Sequence, residues 1–358
     1  MSVGAESTIL VTGGAGFVGS NLADRLAARG HRVRVLDHLG RPGVESNLEW
    51  LCHSHGSLIE PVIGDIRDRA TVTKAARGIG AAFHFAAQVA VTTSMEDPRE
   101  DFAVNVVGTF NLLDSLRQQN SHAALIFAST NKVYGNLAGV PLYLTDRGYR
   151  ASDPKIAEHG VPEDQPLCFH TPYGCSKGAA DQYVLDYGRS FGMRTAVLRM
   201  SCIYGERQLG TEDQGWVAHF LIRALAGETI TLFGDGEQVR DVCDVRDTCD
   251  AYLAMLDRID AVQGRAFNWG GGAENAISLL GLIEEIARIT GRRPAIEFAD
   301  TRPGDQRWFV ADTRKIDQAL GLKPRTPWRD GVRNLADWLH QSRRAAAPAL
   351  APSARANA

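Results

Sequence analysis

No stretch of the chain approaches the about 18 consecutive apolar residues that a membrane-crossing helix needs, so nothing in it reads as a spanning segment. Nor does a basic and apolar leader precede the first apolar strand at Thr8, and the expected location is the cytoplasm. Cysteine is sparse. Cys52, Cys168, Cys175, Cys202, Cys243 and Cys249 form no Cys-x-x-Cys pair and no metal-ligand spacing, which argues for reduced thiols and against a bound metal. An excess of one charge is also lacking: 39 Lys and Arg against 42 Asp and Glu leave a net charge of -3, interspersed along the chain. Nucleic acid and polyanionic surfaces are therefore poor partners, and a small molecule is the expected one. There is no internal repeat. The 358 residues suffice for two domains, or one large domain with an appended lobe. From Ala345 the composition turns to Ala, Pro and Ser, and a disordered tail over 345–358 is expected.

What the chain does have is glycine, closely spaced after its first strand. The apolar run Thr8-Ile-Leu-Val11 leads into Thr12-Gly-Gly-Ala-Gly-Phe-Val-Gly19 and a helical stretch to Arg29. Gly14, Gly16 and Gly19 fit a dinucleotide-binding fingerprint, with Gly13 offering a second register. The first glycines allow a tight turn and close approach of the backbone to a pyrophosphate; Gly19 lets the helix pack against its strand. Phe17 and Val18 then open a helix whose N-terminus faces the phosphates. The next strand, Arg32-Val-Arg-Val-Leu-Asp37, ends in a carboxylate beside His38, where adenosine ribose hydroxyls are bound. Asp37 would repel a 2'-phosphate, so the predicted cofactor is NAD and not NADP.

Strands and helices alternate through the first half, which predicts an α/β fold with a parallel sheet and helices on both faces. A short helix is expected over Asn47–Cys52, strands over 58–63, 82–87 and 124–130, and a long helix from Pro98 to Gln119. Asp65 and Ile66 follow the third strand, at a place suited to the adenine amino group and ring. Ala86 and Ala87 end the fourth strand with small residues that let the cofactor lie against the backbone, and His84 reads as a core histidine.

A further stretch carries chemistry. Thr171-Pro-Tyr-Gly-Cys-Ser-Lys177 opens a helix with Tyr173 and Lys177 one turn apart on one face. A phenol titrates near 10, too high for a base at neutral pH, and a neighbouring ammonium is expected to lower it.

Gly-Gly-Ala-Gly-Phe-Val-Gly19, Gly64-Asp-Ile-Arg-Asp68, His84-Phe-Ala-Ala87, Asn105-Val-Val-Gly-Thr109, Ser129-Thr-Asn-Lys-Val-Tyr-Gly135 and Tyr173-Gly-Cys-Ser-Lys177 occur in one order. In this the chain resembles the extended short-chain dehydrogenase/reductases that act on nucleotide sugars, over residues 8 to 340. The resemblance implies a Rossmann-type doubly wound parallel sheet with a smaller mixed C-terminal substrate lobe. On this reading the cofactor domain takes 1–199 with about 237–270, and the lobe about 200–236 with 271–341. It further implies that Thr130 orients the reacting hydroxyl, Tyr173 moves its proton, Lys177 holds the nicotinamide ribose, and Asn105 supports the site from the long helix. Asn131, Cys202, Arg240 and Arg302 fall at substrate positions. Cys202 stands where the family usually has an asparagine on the diphosphate, while the two arginines suit phosphate through their planar forks.

A sugar C–H beside a hydroxyl is not acidic enough to be inverted by deprotonation, so the chemistry implied is transient oxidation to a ketone followed by reduction on the other face. Relatives that eliminate water follow the threonine with Asp-Glu; Asn131 and Lys132 disfavour that reaction here. The likeness is greatest to a branch of CDP-hexose 2-epimerases, which implies inversion at carbon 2 and a CDP-hexose substrate. UDP- or GDP-hexose 4-epimerisation, or 2-epimerisation with another nucleotide, is the alternative within the class, and a non-enzymatic sensor the alternative outside it. The long connection from Asn136 to His170 belongs to the same likeness; its Tyr143 and Tyr149 are expected to wall the sugar pocket. Relatives pair through the helix after Pro98 and the one opening at Tyr173, so a homodimer or homotetramer is expected, with Phe102, Val106, Phe110 and Leu113 as its stripe.

Overall fold

The computed structural model describes residues 7–119 and 122–346. In chain order its strands begin with β1 (Thr8–Thr12), β2 (Val33–Asp37), β3 (Ile59–Ile63), β4 (Ile79–His84), β5 (Ala124–Thr130), β6 (Leu142–Thr145), β7 (Gly148–Ala151) and β8 (Thr195–Met200). They continue as β9 (Cys202–Tyr204), β10 (Ile230–Phe233), β11 (Val239–Asp244), β12 (Arg265–Trp269), β13 (Ala276–Ser278), β14 (Ile296–Ala299) and β15 (Trp308–Phe309).

Seven strands form one parallel sheet in the order β12-β8-β5-β4-β1-β2-β3. The order reverses direction at β1, and at such a switch point the loops of an open α/β sheet part to admit a ligand. Period-two alternation divides the buried residues between two layers. Ile9, Val11, Val33 and Val35 face Leu22, Leu26, Leu48 and Tyr252, while Leu10, Leu36 and Phe127 face Leu112, Leu116 and Val184. The fourth strand is offset from its expected span: it runs Ile79–His84, because the chain leaves the ladder once the Phe85 N–H has bonded the Thr12 carbonyl at the end of β1.

The smaller lobe holds a mixed sheet, β13-β11-β15 with β9 also on β11, and a separate parallel pair, β10 with β14. β11 thus hydrogen-bonds within the lobe, and the chain rejoins the large sheet through the helix Val245–Asp257 and β12. Arg25 on the first helix fixes that helix by an ion pair to Asp250 at 2.6 Å. The last helix runs Trp328–Ala346, so the first residues of the expected tail are helical; the rest of it, 347–358, lies outside the described residues.

The connection 136–170 is not a pocket wall. It folds as the hairpin β6–β7 and a short helix, Pro154–His159, laid on the lobe: the Tyr149 N–H donates to the Glu237 carbonyl and the Val161 N–H to that of Val310. Leu137, Val140, Ala151 and Val161 share a core with Trp308 and Phe309.

Candidate active site

The helix Thr171–Phe191 carries Pro172 in its first turn, where a missing N–H costs nothing. It places Tyr173, Lys177 and Asp181 on one stripe, all buried, against the carboxyl end of β5. Thr130 is the last residue of β5; its hydroxyl donates to Asn131 Oδ1 at 3.3 Å and lies near enough to the Tyr173 phenol to act on it. Burial pushes Tyr173 up to about 12, a rise that the Thr130 hydroxyl opposes and the Asp101 carboxylate reinforces. Lys177 does not lower it as expected. Its Nζ donates to the Ala128 carbonyl at 2.7 Å and lies 4.2 Å from the Phe127 ring centre. Burial pulls its pKa down to about 7 against the opposing pull of Asp181 and Asp101. The pair is therefore a neutral phenol beside a lysine near its titration midpoint at neutral pH, and the phenolate form that a base needs is disfavoured by burial.

Asn105 lies in a π-helical turn, Ala103–Val107, an interruption of a kind frequent at functional sites. Its Oδ1 accepts from the Gln88 N–H at 3.0 Å, and its Nδ2 reaches the Gln88 carbonyl, Asp101 Oδ1 and Ser176 Oγ at 3.0–3.1 Å. The loop after β4 is thereby tied to the Tyr173 helix. Asp101, one turn before Asn105 and fully buried, was not singled out in the sequence, although the one-turn spacing is a signal for it. His84 is the expected core histidine, bonded to the Thr12 and Thr109 hydroxyls at 2.7 and 2.9 Å and held neutral by burial, which pulls it to about 3.

The glycine turn fits a dinucleotide. A Cβ on Gly13 would come within 2.6 Å of the Ala86 nitrogen, and one on Gly19 within 2.2 Å of the Gly13 carbonyl oxygen, so side chains are barred where backbone must approach backbone. The helix Phe17–Ala28 starts after Gly16 with no side-chain cap and no acid in its first turn, leaving its N–H groups for phosphate. Asp37 ends β2 and accepts from the Ala15 and Leu39 N–H groups at 3.0 and 2.9 Å, with carboxylate lone pairs left for ribose hydroxyls. His38 stands beside it, more than half exposed. Ala86 and Ala87 are half-buried beyond β4. Asp65 is held by Arg67, whose hydrogen bonds keep its carboxyl below the usual range, while Ile66 is buried under Gly108.

A cleft of about 360 Å³ opens between the lobes and draws together Phe17, Val18, Thr130, Asn131, Tyr173, Cys202, Arg240 and Arg302. Arg240 gives its two terminal nitrogens to the Val239 and Gln306 carbonyls, and Asn131 donates to Gln306 Oε1 at 3.1 Å. Arg302 stacks on the Phe233 ring at 3.5 Å and pairs with Glu212 and Asp213 at 3.6 and 3.4 Å. The Cys202 thiol is raised by burial and so stays neutral. Lys132, Gln208 and Gln238 also line the wall without having been expected there as ligands. Both glutamines are buried and give Nε2 to a backbone carbonyl, which fixes the amide and leaves Oε1 without a partner. Such oxygens suit a ligand rich in O–H and N–H groups. Among the described residues none of 136–170 lines the cleft. Tyr143 is 49% exposed, and the Tyr149 hydroxyl donates to Asp235 at 2.7 Å, so the expectation for both is corrected.

Residues 9–270 match the model of the NAD dependent epimerase/dehydratase family. The chain is 43% identical to a CDP-paratose 2-epimerase of Salmonella typhi over 92% of its own length and 98% of the relative's. A putative UDP-glucose 4-epimerase of Methanocaldococcus jannaschii is 31% identical over 94% and 99% of the two lengths. Among solved structures, a UDP-glucose 4-epimerase of Thermus thermophilus in complex with NAD superposes with a TM-score of 0.78 at 31% identity, covering 93% of this chain and 99% of that one.

Proposed function

The chain belongs to the NAD dependent epimerase/dehydratase family as an NAD-dependent epimerase of nucleotide sugars, and we propose that it inverts carbon 2 of a CDP-linked hexose, CDP-paratose giving CDP-tyvelose or a close analogue. The observation that carries this is the whole-length similarity to a CDP-paratose 2-epimerase, well above that to the 4-epimerases.

Gly13, Gly16 and Gly19, with the first turn of their helix, would hold the pyrophosphate of NAD, Asp37 the adenosine ribose and Lys177 the nicotinamide ribose. When bound, NAD supplies the reversible hydride acceptor and is restored at each turnover. Thr130 orients the sugar hydroxyl towards Tyr173, and Tyr173, reacting as the phenolate, takes its proton as the carbon is oxidised. The planar ketone turns in the cleft, and Tyr173 returns the proton to the same oxygen. Asn131 and Lys132 occupy the positions from which an acid and base would eliminate water, so the cycle closes on an epimer.

The test is isotopic. Substrate deuterated at carbon 2 is expected to show a primary kinetic isotope effect and to keep its label in ordinary water, whereas deuterium at carbon 4 leaves the rate unchanged. An effect at carbon 4 with none at carbon 2 would assign the enzyme to the 4-epimerases.

The protein is further proposed to pair through the helices Gly108–Gln119 and Thr171–Phe191. Leu113 is buried in the core, but Phe102 and Phe110 remain 55% and 43% exposed, and Phe110 packs edge-on against Tyr183 and against Tyr187, which in turn packs on Phe191. A contiguous aromatic face of this kind is costly in water. Light scattering at micromolar concentration is expected to give at least a dimer, and Phe110→Asp to shift it towards monomer; a wild-type monomer refutes the pairing.

A further inference from the structure

We propose that Lys132 is a phosphate ligand whose ammonium holds the phosphate that carries the sugar. The proposal rests on the nucleotide-sugar reading above and adds a residue to it. Lys132 belongs to the short turn Asn131–Tyr134 that leaves β5, and its N–H donates to the Thr130 hydroxyl oxygen at 3.2 Å. Its side chain, 18% exposed, lies on the cleft wall with Tyr173, Cys202 and Arg240. One of its three N–H groups goes to the Gly304 carbonyl at 2.9 Å, and its nearest carboxylate, on Asp305, stands 3.7 Å away, beyond hydrogen-bond range.

Charges in the cleft are closely paired at its Arg302 end only. Arg302 is answered by Glu212 and Asp213, but Arg240 is held by neutral carbonyls and Lys132 by a carbonyl and a distant carboxylate. Two cations short of close anions match the two charges of a diphosphate. Burial and the nearby Arg240 pull Lys132 down to about 8 while Asp305 opposes them, so the ammonium remains mostly charged at neutral pH. Substrate geometry points the same way. Carbon 2 adjoins the anomeric carbon that bears the phosphate, whereas carbon 4 lies across the ring. Presenting carbon 2 to Tyr173 draws that phosphate towards the Thr130 end of the cleft, where Lys132 sits. Cys202, a neutral thiol in place of an amide, offers little to hold it.

The plain alternative is that Lys132 only clamps the Gly304 loop. The two are separated by titrating NAD-loaded enzyme with CDP and with CMP, since CMP lacks the phosphate in question. In Lys132→Met, CDP affinity is expected to fall roughly ten- to a hundredfold, the worth of hydrogen bonds to a charged group, while CMP affinity stays within about twofold. Lys132→Gln, which keeps a donor for the Gly304 carbonyl and loses the charge, should behave alike. Equal weakening of both nucleotides, or of neither, overturns the proposal. A parallel UDP and UMP pair tests the base separately. Tighter binding of UDP by wild type would overturn the CDP preference, and a selective loss of UDP over UMP in Lys132→Met would still support the phosphate contact.

Discussion

Tyr173→Phe is expected to lower kcat by about 10²–10⁴-fold, the usual contribution of a positioned acid–base group, while folding and NAD content stay as in wild type. The substitution removes one oxygen and keeps the ring, so the wall of the cleft and the packing against β5 persist. The lost atom is the oxygen next to the Thr130 hydroxyl, the proposed acceptor of the sugar proton. Two other titratable groups of the cleft are poor substitutes for it. His219, lowered by burial and by Arg223, lies close enough to Glu212 and Arg302 to feel their charges, so it belongs to the Arg302 end of the cleft. Cys202 has its thiol raised by burial and cannot serve as a base near neutrality. Loss in kcat with KM little changed is the signature of an interaction made in the transition state. Near-normal turnover in the phenylalanine variant would remove Tyr173 from the chemistry.

What the sequence made legible follows from how local each cause is. The strand Ala124–Thr130 matches its expectation to the residue, because its apolar run ends at two hydroxyls and is paired on both sides. The glycine turn was legible because close backbone approach admits no other residue at Gly13 and Gly19. The span of β4 was not, since Ile79 to Ala90 offers a nearly unbroken apolar and small run, and pairing with Thr12 decides where the ladder stops. Asn131 and Gln306 gave no sign of meeting: they are 175 positions apart and bond only because the loop after β14 folds back over the end of β5. Tyr143 and Tyr149 misled because both flanks of their segment carry residues expected to be catalytic. Its own apolar residues prefer Trp308 and Phe309, which draws the hairpin onto the lobe and away from the sugar. The Tyr-x-x-x-Lys spacing correctly gave the shared face, but the charge on Lys177 depends on burial and on Asp101, which the spacing does not report.

The other large effect concerns the residue one turn beyond Lys177. Asp181→Ala is expected to destabilise the protein by about 3–5 kcal/mol, the cost of leaving one member of a buried ion pair alone. Asp181 and Arg199 have side-chain exposures of 0% and 5% and meet through two parallel hydrogen bonds of 2.9 Å. Arg199 also donates to the Tyr134 hydroxyl at 3.0 Å, which passes its own proton to Asn268 Oδ1 at 2.7 Å, and Ser129 donates to Asp181 at 2.8 Å. The catalytic helix, β5, β8, β12 and the turn after Thr130 are thus pinned at one point beneath the reacting groups. In a chain of this size the loss corresponds to a fall in Tm of roughly 4–7 °C. Asp181→Ala with Arg199→Met should recover much of it, because an apolar pair of similar volume avoids the desolvation of both charges. The pin also acts on chemistry, for Asp181 is the foremost charge sustaining the protonated form of Lys177. Without it the Lys177 pKa, already about 7, falls further, so any activity that needs the ammonium is lost at lower pH than in wild type. Thermal unfolding and the pH profile of kcat measure the two consequences separately. A single variant that melts within about 1 °C of wild type would show that the fork is not what fastens the helix.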